Sequence, residues 1–493
     1  MAKTAAELMY KPNKGYLMSI TLVATLGGLL FGYDTAVISG AVGSLRTFFI
    51  EPLHLSELEA NSLLGFMISS ALIGCIIGGI IAGIVSQKFG RKKGLILAAI
   101  LFFIAAFGSS MPEAFNIFGV SNLYSFIFYR IIGGIGVGLA SMMSPMYIAE
   151  IAPAHNRGSL VSLNQFAIVF GILIIYFINY FIAKQGDELW NVTTGWRYMF
   201  ASGAIPAGLF FVLLFFVPES PRWLAMKNRN DEALAILSKI GGAEHAASEM
   251  KSIKASVVEV KGRMFSYGGL IIVIGILLSI FQQFVGINVV LYYAPEIFKN
   301  MGSGTDSSLM QTILVGFINL AFTVLAIFTV DKFGRKPLMI IGALGMAATM
   351  IGLGTTFYIQ NVGISSLLFM LAYTAFFAMS WGPVVWVLLS EIFPNKIRWV
   401  MSIAVAAQWI ANLLVSWTFP VMDKSSYLND AFHHGFAYWI YGAMGLLAAW
   451  FMWKYVPETK GKTLEEMSKL WKKNPDEAVK VNVKEPVAAG PVK

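Results

Sequence analysis

Two ionisable side chains lie deep inside long apolar runs of this 493-residue chain: Asp34 in LFGYDTAVISG and Arg130 in FIFYRIIGGIG. A charge in hydrocarbon costs several kcal/mol, and residues of this kind are usually kept for work. Their opposite signs allow them to pair, and a proton taken by the carboxylate would release the guanidinium. A carboxylate that feels both burial and a cation is a proton switch, the chemistry expected of a proton-driven membrane carrier. The bland alternative is a fixed ion pair that only locks helix packing. None of the five histidines, at 54, 155, 245, 433 and 434, falls mid-span, so no rival proton carrier is evident.

A second set of residues suits neutral polyols. Gln165, Gln282, Gln283, Asn288, Asn319, Gln408 and Asn412 are amides inside apolar runs. An amide offers a donor and an acceptor together without adding charge, which matches vicinal hydroxyls, and an aromatic face can cover a sugar ring. Gln282, Gln283 and Asn288 sit in a helix expected to break at Gly286 and again at Pro295, and Trp386 follows a further expected break at Gly382-Pro383. Interrupted membrane helices line cavities. Taken singly, each amide also fits a plain role in gluing helices together.

These residues need elements that hold them in lipid. The chain is 57% hydrophobic and only 13% charged, against about 25% charged in soluble proteins. Its mean hydropathy is +0.69. A spanning helix needs about 20 apolar residues, and such runs fall near 16–44, 61–86, 94–112, 122–148, 158–184 and 197–217, then near 266–298, 307–330, 337–358, 364–391, 398–421 and 434–456. The expected fold is an all-α membrane protein with twelve transmembrane helices in two six-helix bundles. Counted from the span ends at 1.5 Å per residue, Asp34 lies about 27 Å along the first helix and Arg130 about 12 Å into the fourth, entering from the other side. Both then sit in the same half of the bilayer.

The net charge of +9 does not call for nucleic acid, because the basic residues fall in short loops. QKFGRKK (87–93), HNRG (155–158), DKFGRK (331–336) and NKIR (395–398) share one side with both termini and the 218–265 linker. Positive-inside places that side in the cytoplasm. The expected domains are 1–217 and 266–456 for the two bundles, 218–265 for a cytoplasmic helical linker and 457–493 for a cytoplasmic tail. The polar, basic start is followed by an apolar run too long for a cleavable signal. The single cysteine, Cys75, excludes an intramolecular disulfide and reads as a packing residue.

The halves repeat. FGRK recurs at 89–92 and 333–336, Glu150/Pro153/Arg157 returns as Glu391/Pro394/Arg398, and PES at 218–220 returns as PET at 457–459. Three motifs in one order at nearly one offset imply a pseudo-two-fold axis along the membrane normal and a central site with alternating access.

The chain resembles the sugar porter branch of the major facilitator superfamily in GIVSQKFGRKK (83–93), YRIIGGIGVG (129–138), PMYIAEIAPAHNRG (145–158), GWRYMF (195–200) and PESPRWL (218–224). The second half adds QQFVGINVVLYYAPEIF (282–298), VDKFGRKPL (330–338), WGPVVWVLLSEIFPNKIR (381–398) and VPETKGKTLEEM (456–467). It is similar above all to bacterial xylose–proton symporters, with facilitative glucose transporters next.

The resemblance implies direct sugar contacts from Gln165, Gln282, Gln283, Asn288, Trp386 and Gln408, with Phe31, Tyr292, Asn319, Gly382 and Trp409 around them. It implies proton coupling by Asp34 and Arg130. It also implies a salt-bridge network that clasps the cytoplasmic side in an outward-facing state, built from Arg91, Glu150, Arg157, Glu219 and Arg222 with Arg335, Glu391, Arg398 and Glu458. Three positions depart from the family pattern. Ile172 stands where xylose symporters have glutamine, Gln87 where the first loop motif has aspartate, and Trp399 where glycine follows the arginine.

The expectation is an inner-membrane proton–monosaccharide symporter, with D-xylose first and D-glucose second. Its partners would be the sugar, the proton and the lipid bilayer, with no cofactor, no nucleic acid and a functional monomer. The rivals are a facilitative uniporter, in which Asp34–Arg130 is structural, and a non-transporting sugar sensor. A proton/drug antiporter fits an amide-rich pocket poorly.

Overall fold

The computed structural model describes residues 13–460 apart from 117–118, 120, 154–155, 258–264, 266 and 394–400. Arg398, Trp399, His155 and the tail beyond 460 therefore lie outside the described residues. Twelve helical stretches among the described residues are long and apolar enough to cross a membrane. In the first half they are α1 (Lys14–Gly40), α2 (Glu57–Phe89), α3 (Arg91–Ser110), α4 (Asn122–Ile151), α5 (Arg157–Ala183) and α6 (Glu188–Leu214). The linker supplies α7 (Pro221–Met226), α8 (Asn230–Gly241) and α9 (Ala243–Val257). The second half continues with α10 (Leu270–Asn300), α11 (Thr305–Val330), α12 (Arg335–Tyr358), α13 (Ile364–Ile392), α14 (Met401–Asp423) and α15 (Phe436–Tyr455). The fold is the twelve-helix arrangement expected from the hydropathy pattern.

Helix starts and stops follow local chemistry. Ser56 and Glu59 form a capping box at the head of α2, satisfying amides that have no helical acceptor. The repeated FGRK motif ends one helix and starts the next. Gly90 and Gly334 hold φ of 94° and 89°, a region that favours glycine, and a Cβ there would strike the Glu219 or Glu458 carboxylate.

Within each half, glycine lets helices meet backbone to backbone. A Cβ at Gly74 would lie 2.0 Å from the Ile131 carbonyl oxygen, and one at Gly134 would lie 1.8 Å from that of Ala71. The α2–α4 crossing therefore excludes any larger residue, as small-residue stripes do in lipid. Cys75 is fully buried at this crossing, and its carbonyl oxygen would lie 2.5 Å from a Cβ on Gly138.

The two most extensive crossings between the halves are α2 with α14 and α5 with α11. They are related by the same pseudo-two-fold as the sequence repeat. At the first, Gly65 leaves room for the Trp417 carbonyl, and the Trp417 indole donates to the Ser62 carbonyl at 3.0 Å. Asn61 donates to the Lys424 carbonyl at 3.2 Å, and Ser426 donates from its amide to Glu57 at 2.6 Å. These bonds lie on the face opposite the basic loops, so this conformation is closed there.

The linker helices dock on the first half. Trp223 donates to the Gln87 carbonyl at 3.0 Å, and the Asn13 amide donates to the Ile240 carbonyl at 3.0 Å. Departure from aspartate at position 87 costs this contact nothing, because the backbone supplies it.

On the closed face, Asp423 at the end of α14 is 2% exposed. It accepts from Asn300 at 3.1 Å on both oxygens and pairs with His434 at 3.2 Å. The hydrogen bond to Asp423, helped by its charge, raises the His434 pKa against the effect of burial. A raised pKa means that the stabilisation is complete below the unfolded value of about 6.5 and fades as pH climbs through the folded value. His434→Gln should therefore lower the melting temperature in detergent most at about pH 6, and by much less near pH 9. Equal losses at both pH values would show that the imidazolium is not the stabilising form.

Candidate functional site

The depth estimates from α1 and α4 place Asp34 and Arg130 at one level, and the structure brings them together. Arg130 Nη1 lies 3.4 Å from each carboxylate oxygen of Asp34 and donates to the Asp34 carbonyl at 3.3 Å. The guanidinium also lies over the Phe200 ring at 5.4 Å. The Arg130 side chain is 2% exposed and that of Asp34 is 15% exposed. Arg130 Nε is buried without a partner. A small crevice beside Asp34 is lined by Tyr33, Phe102, Ala106, Phe200 and Gly203, on helices α1, α3 and α6. The pair is thus inside the first half, neither on the lipid surface nor among the amides. The second segment of α10, which carries Tyr292, packs against Val37–Gly40 of α1, just beyond Asp34.

The amides of α10 gather at a true helix break. α10 runs as Leu270–Phe284 and restarts as Ile287–Asn300, with Gly286 at φ 93° between them. Pro295 does not break it, contrary to expectation: the second segment runs through it. The expected break at Gly382-Pro383 also moves. α13 is interrupted at Ser380, and Pro383 sits in the first turn of Trp381–Ile392, where an amide hydrogen is not needed.

The two interruptions face each other. Gln282 Nε2 donates to the Trp381 carbonyl at 2.8 Å and to that of Gly382 at 3.3 Å. Gln283 Nε2 donates to Gln282 Oε1 at 3.4 Å, and Asn288 Nδ2 donates to Gln283 Oε1. This chain orients three amides in one direction, and each keeps capacity for a further bond.

On the other walls, Phe31 of α1 and Trp409 of α14 approach with ring centroids 5.7 Å apart at 49°, joining the halves through an apolar plate. Gln408 Oε1 is buried without a partner, and a buried acceptor left unpaired costs about 1–3 kcal/mol. Asn412 donates to the Tyr292 hydroxyl at 3.5 Å and accepts from Ser416 at 3.0 Å. Gln165, Trp386 and Gly382 are half-buried on α5 and α13, and Asn319 is buried on α11. Ile172 is buried on α5.

The charged clusters of the basic face repeat residue for residue. Arg91 donates from Nε and Nη2 to Glu150, both at 2.8 Å. Arg335 donates to Glu391 from the same atoms at 3.2 and 2.8 Å. Glu219 accepts from the amides of Arg91 at 2.9 Å and Lys92 at 3.1 Å, at the N-terminus of α3. Glu458 accepts from those of Arg335 at 3.1 Å and Lys336 at 3.0 Å, at the N-terminus of α12. A carboxylate belongs at such a site, where free amides and the helix dipole meet it.

These bonds lie within one half or the other, and Arg398 of the expected clasp lies outside the described residues. Arg157 departs from the expected network, because it reaches Glu249 of α9 at 3.8 Å. Arg222 is exposed on α7.

Sequence reasoning missed the carbonyls of Trp381 and Gly382 as partners for Gln282. A glycine-proline pair beside an amide hints at open backbone, but the partner lies 99 residues away.

Twelve spans in two related halves, with paired helix breaks around an amide chain, define a membrane carrier of small polar solutes. The chain belongs to the sugar transporter family: the family model described as "Sugar (and other) transporter" matches residues 20–471. It is 63% identical to the D-xylose-proton symporter of Escherichia coli K12 over 473 residues, covering 93% of this chain and 96% of that one. It is 42% identical to the glucose facilitated diffusion protein of Zymomonas mobilis over 465 residues, covering 93% and 98%. Among solved structures, the inward-open xylose transporter from E. coli matches with a TM-score of 0.84 at 62% identity, covering 93% of this chain and all of that one. The same symporter bound to 6-bromo-6-deoxy-D-glucose matches with a TM-score of 0.80 at 63% identity, covering 93% and 100%.

Glu458 supplies a check on the basic-face clusters. Burial raises its pKa, but the amides of Lys460, Arg335, Lys336 and Thr459 outweigh that and hold it below the ordinary carboxylate range. Its stabilisation is present above the unfolded value and lost as pH falls through the folded one. Glu458→Gln should lower the melting temperature by a few degrees near pH 7, with the gap to the parent closing below about pH 4. A gap that widened on acidification would contradict the carboxylate role.

Proposed function

We propose that this protein imports D-xylose together with protons across the bacterial inner membrane by alternating access. The observation that carries the reading is the buried Asp34–Arg130 pair, 3.4 Å apart, in a chain 63% identical to a D-xylose-proton symporter. A protonated Asp34 no longer balances Arg130, whose other partners among the described residues are one backbone carbonyl and the Phe200 ring. An uncompensated buried charge costs several kcal/mol. Proton arrival therefore has to change the packing of α1 against α4.

The sugar would bind where α10 and α13 are interrupted. Gln282, Gln283, Asn288, Gln165 and Gln408 would meet its hydroxyls, and Trp386, Phe31 and Trp409 would meet its ring. Tyr292, Asn319 and Gly382 would complete the wall. α1 carries both Phe31 and Asp34, so one helix would report sugar and proton alike. Ile172 offers no hydrogen bond from its place on α5, which supports D-glucose as a second substrate.

We place the basic face, both termini and the linker in the cytoplasm, on the strength of the positive loops. The chain then divides into 1–217, 218–265, 266–456 and 457–493, and a single copy contains every residue invoked. In the outward-facing state the Arg91–Glu150 and Arg335–Glu391 clusters would meet across the cytoplasmic face, with Arg157, Arg222 and Arg398 beside them.

Asp34→Asn tests the coupling in proteoliposomes with labelled D-xylose and D-glucose. One proton per sugar and a one-unit pH gradient would support about tenfold accumulation. The variant should exchange sugar across the membrane yet show no accumulation under the gradient. A variant that still concentrates sugar would place the coupling group elsewhere. Unaltered net uptake in both proteins, with or without the gradient, would make this a uniporter.

A further inference from the structure

Two prolines in the second half each free a carbonyl, and the two carbonyls are capped in different ways. Proline has no amide hydrogen, so within a helix it leaves the carbonyl four residues earlier without its donor. Pro420 of α14 frees Ser416, whose carbonyl accepts from the Tyr293 hydroxyl at 2.8 Å. Tyr293 lies on α10, in the same half. Pro295 of α10 frees Leu291, and this carbonyl accepts from the Tyr176 hydroxyl at 2.7 Å. Tyr176 lies on α5, in the opposite half. It is 1% exposed, and its ring is packed at the α5–α11 crossing, where a Cβ on Gly316 would lie 2.8 Å from it. The bond reaches α10 one residue before Tyr292 and three after Asn288.

We propose that Tyr176 is the closing residue of the outer gate. Its hydroxyl satisfies the proline-freed carbonyl of Leu291 only while the halves are shut on the face opposite the basic loops. The Tyr293–Ser416 bond moves with its own half and is available in every state. The Tyr176–Leu291 bond has to break whenever the outer face opens, and it re-forms as the two halves close over the sugar. Tyr176 thus acts on the transport cycle without touching the sugar, as a positioning residue for the segment that carries Asn288 and Tyr292. This rests on the alternating-access reading above.

The test is a double-mutant cycle read by conformation. Leu58 and Tyr427, 66% and 81% exposed on the outer face, are replaced by cysteine and spin-labelled on opposite halves. Distance distributions are then measured with and without D-xylose in four backgrounds: the parent, Tyr176→Phe, Pro295→Ala and the double variant. Tyr176→Phe keeps the ring and deletes the donor, so the ratio of outer-open to outer-closed populations should rise about tenfold, the scale of one unpaired buried acceptor. Pro295→Ala restores the helical donor to Leu291. In that background, Tyr176→Phe should shift the ratio by less than about twofold.

Equal shifts in both backgrounds, or no shift in the parent background, would overturn the latch while leaving transport intact. A parent whose outer distance never changes would overturn alternating access and the latch together.

Discussion

Hydrocarbon offers no hydrogen bonds, and every buried polar group of this protein is placed under that constraint. A soluble fold can leave a helix end or a lone guanidinium to water, but here each needs a partner inside the protein or in an internal polar cavity. Arg130 takes Asp34, the Asp34 carbonyl and the face of Phe200. Broken helices pair with each other, Gln282 of one capping the carbonyls of the other. The carbonyls freed by Pro295 and Pro420 take tyrosine hydroxyls. Function then follows from the few partners that can be exchanged.

The polar clusters sit at different places in the fold. The Asp34–Arg130 pair is enclosed in the first half. The amide chain of α10 has hydrogen-bonding capacity left over. The Glu219 and Glu458 seats are built into helix N-termini within each half, so they are well suited to survive the rocking of the bundles as rigid corners. Glycine makes these arrangements geometrically possible: at the α2–α4 crossing any Cβ would strike opposing backbone, and this contact fixes α4, with Arg130, against its neighbours.

Much of the fold was legible in order along the chain. Hydropathy marked twelve spans, basic loops marked one face, and FGRK, Glu150/Glu391 and Pro-Glu-Ser/Thr marked the internal repeat, which the structure reproduces in matching hydrogen bonds. Asp34 and Arg130 stood out because charge is rare in such runs. Helix interruptions are less legible. Pro295 looked like a break, yet its helix continues, because a neighbouring tyrosine supplies the donor its freed carbonyl requires. The α13 interruption settled at Ser380, ahead of the Gly-Pro pair, since proline is accepted within the first turn of a helix.

The sequence by itself determined that this chain lives in lipid, that it is built twice over, and which residues carry charge or amides where none are needed for solubility. Those properties depend on composition and spacing, which are local. Only the tertiary structure decided who meets whom: Gln282 with Trp381, Arg157 with the linker's Glu249, Tyr176 with Leu291 across the two halves. It also decided that the Asp34–Arg130 pair lies apart from the amides and that Arg91 and Arg335 each hold a glutamate of their own half. Such pairings depend on helix rotation and crossing distance, set by packing between residues far apart in sequence, and no local pattern records them.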